Sequence, residues 1–161
     1  MFRQSLRSIA RTARTGTIGV RTYAEAVNPD VLKVSLVAPH QAIFTNKEVS
    51  QVNLPASSGE MGVLANHVPT VEELAPGVVE VIESSGTSSK YFVSGGFASI
   101  LPGSKLSIST VEAHPLDAFS SENIKSLLAE AQKNASSADE TVAAEAAIEI
   151  EVLEALQAAV H

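Results

Sequence analysis

The chain has 161 residues, which is the size of one domain or of one domain with an appendage. It contains no cysteine, so disulfides, thiolate nucleophiles and cysteine-ligated metals are excluded. No run of about 18 apolar residues is present that would predict a membrane-spanning helix. Aromatic residues are scarce and tryptophan is absent, so the core must be built mainly from Val, Ile, Leu and Ala.

Charge is distributed unevenly along the chain. The first 23 residues contain no Asp or Glu and hold all five arginines, Arg3, Arg7, Arg11, Arg14 and Arg21. The remainder has six lysines against 18 acidic residues, which gives it a net charge of −12. Because this surface repels phosphate groups, we expect no binding to nucleic acid or to anionic lipid through bulk electrostatics. Partners with basic surfaces suit it better.

Residues 1–23 have the composition of a mitochondrial transit peptide. Arg21 lies three residues before Ala24, as at a matrix-protease site, which predicts cleavage between Tyr23 and Ala24. The alternative is a disordered basic tail that binds polyanions. Residues 24–30 are interpreted as a flexible lead-in. The apolar residues of the transit segment could share one helical face, with the arginines elsewhere around it: Phe2, Leu6, Ile9 and Ala13.

The segment from residue 31 to residue 115 has the pattern of a β domain. Short apolar or alternating runs recur at a spacing of roughly ten residues, separated by Gly, Pro, Asn and Ser, which favours a sandwich or a barrel. A turn is predicted at 45–47, and the strand order stays open. The predicted strands cover 31–37, 42–44, 49–54, 71–74, 78–83, 90–93, 97–101 and 106–111.

The stretch from Gly59 to Pro69 is predicted to be an ordered loop between two strands. Gly59 and Gly62 permit backbone conformations that a Cβ would resist, and the His67-x-Pro69 ending breaks a helix. The stretch carries one carboxylate, Glu60, and one imidazole, but no nucleophile. A structural connection is therefore favoured over a catalytic one.

Residues 116–161 change to a helical period and are predicted to form an antiparallel helical hairpin. Ser137 and Glu140 have the spacing of a capping box, which predicts the start of the second helix. The same apolar stripes could also dock on a partner. The first stripe consists of Ile124, Leu127, Leu128, Ala131 and Ala135. The second consists of Val142, Ala146, Ile150, Leu153 and Val160.

No catalytic, cofactor or metal site is predicted. The histidines His40, His67, His114 and His161 lack the spacing of a helical zinc site. Residues 94–97 lack the residue order of a nucleophile elbow. The Gly95-Gly96 pair instead predicts a bulge or a close backbone approach.

Several motifs in order resemble one known family. The Gly59–Pro69 stretch fits the pattern Gly-Glu-apolar-Gly-apolar, followed by His-x-Pro, and it is similar to the signature of the small central-stalk subunit of rotary F-type ATP synthases. That subunit is called epsilon in bacteria and chloroplasts and delta in mitochondria. The Pro-Gly turn at 76–77, the Ser-Gly-Gly junction at 94–96 and the Pro-Gly turn at 102–103 also match. The predicted transit peptide indicates the mitochondrial branch of this family.

The resemblance implies a flattened β-sandwich of about ten strands, residues 31–115, followed by a helix–loop–helix, residues 116–161. It implies a rotor subunit without an active site that joins the gamma shaft to the c-ring and couples proton flow to ATP synthesis. Its location would be peripheral, on the matrix side of the mitochondrial inner membrane. A very small mitochondrial epsilon subunit would bind in the groove between sandwich and hairpin. The family's ring-facing positions carry over to Ser57, Ser58, Gly59, Glu60, Met61, Gly62 and His67.

One departure from the family bears on regulation. Some bacterial members bind ATP through an acidic-x-x-Arg motif as the helical region begins, and Asp117 stands there without any later arginine. We therefore predict no regulatory ATP binding. Two other function classes remain as alternatives: a matrix ligand-binding β-sandwich module, which would need exposed aromatic side chains on a concave face, and an enzyme, which would need a cluster of His or carboxylate groups.

Overall fold

The computed structural model describes residues 30–160. The predicted transit peptide, its cleavage site at Tyr23/Ala24 and nearly all of the lead-in therefore lie outside the described residues. The strands are β1 Leu32–Ala38, β2 Gln41–Val49, β3 Gln51–Ala56, β4 Gly59–Leu64, β5 Thr70–Leu74, β6 Gly77–Ile82, β7 Ser88–Val93, β8 Gly96–Leu101, β9 Lys105–Thr110 and β10 Ala113–Pro115. A 3-10 turn, Leu116–Ala118, then leads to helices α1 Ser121–Asn134 and α2 Glu140–Ala159.

The ten strands form two halves of five strands each. The first half has the order β10-β7-β6-β3-β4, and the second half has the order β5-β8-β9-β1-β2. The halves are continuous through one pair, Ala56 of β3 with Leu74 of β5. Strands β1 and β9 are parallel, and the other neighbours are antiparallel.

The core lies between the two halves. Strands β1, β3 and β9 alternate buried and more exposed residues, so each strand presents one apolar face inward. Val52 and Val81 of the first half belong to the same buried cluster as Leu36 and Ile108 of the second half. Because the inward faces of both halves share this cluster, the architecture is a sandwich.

Strand β2 departs from the predicted pattern. The predicted turn at 45–47 is wrong, because β2 runs without a break from Gln41 to Val49. Asn46 takes a positive φ of 50°, its backbone N–H donates to Ser35 Oγ at 3.0 Å, and the pairing with β1 shifts register twice. The turn-forming residues thus produce an irregular strand instead of a reversal of the chain.

Side chains of strand β2 also connect the two halves along one side of the sandwich. The rings of Phe44 and Tyr91 meet edge to face at 5.3 Å, which connects β2 of the second half with β7 of the first. Lys47 Nζ lies 2.7 Å from the Glu83 carboxylate and 4.5 Å from the centre of the Phe44 ring. These contacts link the two halves independently of the Ala56–Leu74 pair.

The two helices form a hairpin that packs on the outer face of the first half. The beginning of α1, at Ser121, lies beside the end of α2, at Gln157, so the helices are antiparallel. Ile124 of α1 and Leu156 of α2 are buried together against Phe92 of β7. The predicted fold class, a ten-strand β-sandwich followed by a helical hairpin, is confirmed. Neither helix has the length and apolar character needed to cross a membrane.

The predicted capping box at the start of α2 is wrong. The helix begins at Glu140, and its N-cap is Asp139, whose carboxylate accepts the N–H of Thr141 at 2.9 Å. Ser137 instead accepts the N–H of Asp139 at 3.2 Å. The serine therefore supports the turn before the helix, and the aspartate satisfies a free amide of the first turn.

Candidate functional site

The stretch predicted to be a loop is mostly a strand, so that prediction is wrong. Residues Gly59 to Leu64 form β4 and pair with β3 in unbroken register from Ala56↔Gly59 to Gln51↔Leu64. The glycine that the turn requires is Gly59, with a φ of +126°, directly after the two-residue turn Ser57-Ser58. The remaining residues are extended and place Val63 in the core.

The tip of the β3–β4 hairpin holds four of the seven predicted contact residues. Ser57, Ser58, Gly59 and Glu60 are all exposed there. The N–H of Ser57 donates to the carbonyl of Glu73 at 2.9 Å, so the tip is attached to β5 of the other half. The tip therefore exposes a carboxylate, two hydroxyls and backbone groups to a partner. Its attachment to β5 fixes the position of these groups.

Met61 and Gly62 continue the strand away from the tip. Met61 is half-buried and packs against the core cluster, so its side chain contributes to stability more than to an outside contact. Gly62 is exposed on the opposite face, and a Cβ there would lie 3.3 Å from Gln51 Nε2 and 3.4 Å from Asn53 Oδ1. The surface around Gly62 is therefore polar, and the side chains of Gln51 and Asn53 lie close beside this position.

His67 is not brought together with the other six residues. It follows the far end of β4, and a strand of this length spans about 20 Å. Its Nδ1 lies 2.8 Å from the carbonyl oxygen of Val68, and its backbone N–H donates to the carbonyl of Leu64 at 3.3 Å. The tip and His67 thus occupy opposite ends of one strand.

A groove separates the outer face of the first half from helix α2. It has a volume of about 710 Å³ and begins at Glu60 and Gly62. Its polar floor includes Asn53, Glu80 and Lys90, and its helical wall consists of alanines, Ala155, Ala158 and Ala159. A second cavity of about 910 Å³ shares Glu80, Lys90 and Ala159 with it, so the groove continues along the sheet.

Glu80 organises the floor of this groove. Its carboxylate accepts hydrogen bonds from Ser88 Oγ at 2.7 Å and from Asn53 Nδ2 at 2.9 Å, and Lys90 Nζ lies 3.8 Å away. These two hydrogen bonds, the one from Ser88 first, lower the pKa of Glu80 against the opposing effect of burial, and Lys90 lowers it further. The sequence carries no signal for the role of Glu80, because a glutamate that alternates with valines looks like any solvent-facing strand residue.

The described residues hold no group of three or more His, Cys, Asp or Glu side chains arranged to bind a metal ion. In residues 30–160, every buried side-chain nitrogen or oxygen has a hydrogen-bond partner. Asp117 lies in the 3-10 turn before α1 and lines the larger cavity. The described surface thus offers polar and apolar contacts for a partner.

Two family models cover most of the chain. The model described as "ATP synthase, Delta/Epsilon chain, beta-sandwich domain" matches residues 31–115. The model described as "Fungal epsilon subunit of F1F0-ATP synthase C-terminal domain" matches residues 119–158. The two matches follow each other in the same order as the sandwich and the hairpin.

Individual relatives are similar over their whole length. The mitochondrial ATP synthase subunit delta of Pichia angusta is 99% identical over 161 residues and covers all of both chains. That of Kluyveromyces lactis is 61% identical over 160 residues and covers 99% of each chain. A chain in the cryo-EM structure of the Euglena gracilis mitochondrial ATP synthase, OSCP/F1/c-ring in rotational state 1, is 32% identical with a TM-score of 0.79; the match covers 98% of this chain and 100% of that one.

Proposed function

The chain belongs to the delta/epsilon family of F-type ATP synthase subunits, and we propose that it joins the gamma shaft to the c-ring. It is a non-catalytic central-stalk subunit of the mitochondrial ATP synthase rotor. The observation that carries the proposal is the end-to-end similarity to mitochondrial delta subunits. A stiff sandwich with extended polar and apolar surfaces suits a part that transmits torque without chemistry.

The proposed ring contact is the tip of the β3–β4 hairpin with the start of β4, residues Ser57, Ser58, Gly59, Glu60, Met61 and Gly62. The support is that the tip is exposed and that its backbone is held by β5, so force applied there reaches both halves of the sandwich. His67 follows the far end of β4, whose six residues span about 20 Å. Its predicted contact would therefore be a separate one.

The proposed epsilon contact is the groove between the first half and α2. Its alanine wall permits close approach of a backbone, and its floor supplies hydrogen-bonding groups at Asn53 and Glu80. With these partners the chain would be held at the matrix side of the inner membrane through the rotor. Residues 31–115 and 116–161 would act as its two domains.

The test is a native gel of mildly solubilised mitochondria, probed for this chain beside an in-gel ATPase stain. We expect the chain to migrate with the ATPase and to be lost from that band when gamma or the c-ring is depleted. A free band of low mass, together with normal ATPase assembly after deletion of the chain, would contradict the proposal. That result would favour a ligand-binding β-sandwich module.

A further inference from the structure

Strand β4 is an unprotected edge of the sandwich. Within residues 30–160 it pairs with β3 alone. The other edges carry features that discourage pairing: β10 has three residues and ends at Pro115, β2 is irregular and carries Lys47, and β5 already bonds to Pro55 and Ser57 beside β3. Strand β4 has six residues in regular register, without proline, lysine or a bulge. It is therefore the edge on which a further strand would pair most readily.

The direction of the backbone groups of β4 follows from the contacts of β3. The N–H of Ser57 and the carbonyl of Pro55 bond to β5, so the backbone groups of these two residues point away from β4. The intervening Ala56 points toward β4, where its partner is Gly59. Since backbone groups alternate sides along a strand, every second residue of β4 bonds to β3. Glu60, Gly62 and Leu64 therefore direct their backbone N–H groups outward.

These outward positions are open to an approaching chain. Glu60, Gly62 and Leu64 are all exposed, and Gly62 has no side chain that would hold another backbone at a distance. Side chains on one face of an added strand would point over Gln51 and Asn53, into the groove of about 710 Å³. The edge thus combines backbone pairing with an adjacent recess for side chains.

We propose that an extended segment of a partner polypeptide pairs with β4 and becomes the sixth strand of the first half. The occupant carries a basic side chain opposite Glu60, whose carboxylate is exposed and makes no hydrogen bond or ion pair with any described residue. A second copy of this chain is disfavoured as occupant, because two copies with net charges of −12 repel each other. The inference deepens the proposed function, since it assigns the way in which a rotor partner is bound.

The test is amide hydrogen exchange at single-residue resolution, in the free mature chain and in the purified ATP synthase. In the free chain we expect fast exchange at Glu60, Gly62 and Leu64 and slow exchange at Met61 and Val63. In the complex we expect the three fast amides to slow by about tenfold or more. Fast exchange in a complex that contains the chain would overturn the inference, whereas absence of the chain from the complex would overturn the proposed function instead.

Two variants test whether the outward N–H groups themselves are needed. Gly62→Pro removes one of them without removing a bond to β3, because proline fits an edge strand where the N–H faces away. Gly62→Ala keeps the N–H and requires only a small shift of the Gln51 and Asn53 side-chain ends. We expect Gly62→Pro to reduce retention of the chain in the complex at least fivefold relative to Gly62→Ala, because only the proline variant lacks the N–H.

Equal retention of the two variants would contradict strand pairing. Leu64→Pro compared with Leu64→Ala repeats the test if Gly62→Pro does not fold, as judged by circular dichroism. Slow exchange at Glu60 and Gly62 that develops in the free chain as its concentration rises would identify a second copy as the occupant. That outcome would also overturn the inference.

Discussion

Glu60 provides the charge at the exposed tip of the β3–β4 hairpin. If the tip contacts the c-ring through the Glu60 carboxylate, we expect Glu60→Lys to replace an attraction by a repulsion and to reduce ATP-driven proton pumping at least twofold. Inverted inner-membrane vesicles with a pH-sensitive dye provide the measurement. Glu145→Lys is the matched control, because Glu145 is an exposed acid on α2, away from the hairpin tip. Equal pumping by the two variants would contradict the ring contact.

Glu80 provides a residue-scale test of the groove floor. Hydrogen bonds from Ser88 and Asn53, helped by Lys90, lower the pKa of Glu80 in the folded state. Its stabilising contribution is therefore present above the ordinary glutamate pKa, about 4.3, and is lost as the pH falls through the lowered pKa. We expect Glu80→Gln to lower the free energy of unfolding by about 1 kcal/mol at pH 7, with a smaller difference at pH 3.

Urea unfolding at pH 7, 5 and 3 measures this difference. Glu145→Gln on α2 is the control, and it should change stability little at any of these pH values, because Glu145 is exposed. A Glu80→Gln effect that does not change with pH would mean that the ionised carboxylate is not what stabilises the floor.

Single residues were predictable where backbone geometry dictates the residue type. The close backbone approach predicted at Gly95-Gly96 is confirmed, because Gly96 has a φ of +144° and a Cβ there would collide with the carbonyl oxygen of Ser109. Glu80 could not be predicted, since its role depends on Asn53 and Ser88 from two other strands. A pattern along one strand contains no information on these cross-strand partners.

At the scale of elements, the sequence misleads where turn-forming residues occur inside strands. Glycines at 59 and 62 favour a loop by propensity, yet both positions belong to β4, and only Gly59 keeps the positive φ of a turn residue, because pairing with β3 and burial of Val63 outweigh that preference. Asn46 in β2 shows the same effect. The helices were easier to predict, since their apolar period appears in a single continuous segment.

Both Ser137 and Asp139 have a side chain that could cap helix α2, and Asp139 is the N-cap in the structure. The Asp139 carboxylate accepts the N–H of Thr141, while Ser137 Oγ accepts the N–H of Asp139. We expect Asp139→Ala to lower the free energy of unfolding by about 1 kcal/mol and Ser137→Ala to lower it by less. Chemical denaturation followed by circular dichroism at 222 nm measures both. The reverse order of effects would restore Ser137 as the cap.

At the scale of the whole molecule, the strand order could not be predicted from the sequence. Strand β1 pairs in parallel with β9, which lies far along the chain, and the Lys47–Glu83 contact joins the two halves across the sandwich. Local periodicity identifies strands but does not identify distant partners. The two-half arrangement also leaves an outer face on the second half that no described helix covers, since the hairpin packs on the first half.

That outer face predicts how the isolated mature chain behaves in solution. Val71 and Phe97 are diagonal neighbours on it and are 66% and 56% exposed, with Leu101 close by at 47%. An exposed apolar patch drives self-association, whereas the net charge of −12 opposes it. Salt screens the charge, reducing the Debye length from about 10 Å at 0.1 M to about 3 Å at 1 M. We therefore expect association to increase with salt.

Sedimentation velocity at 0.05, 0.2 and 1 M sodium chloride measures the fraction of associated chain. Phe97→Ser should reduce that fraction at every salt concentration, because it removes the largest apolar side chain of the patch. Val68→Ser is the matched control, since Val68 is 71% exposed but lies in the loop between β4 and β5, outside the patch. If association instead falls as salt is added, charge pairing between copies is responsible and the apolar face is not what drives it.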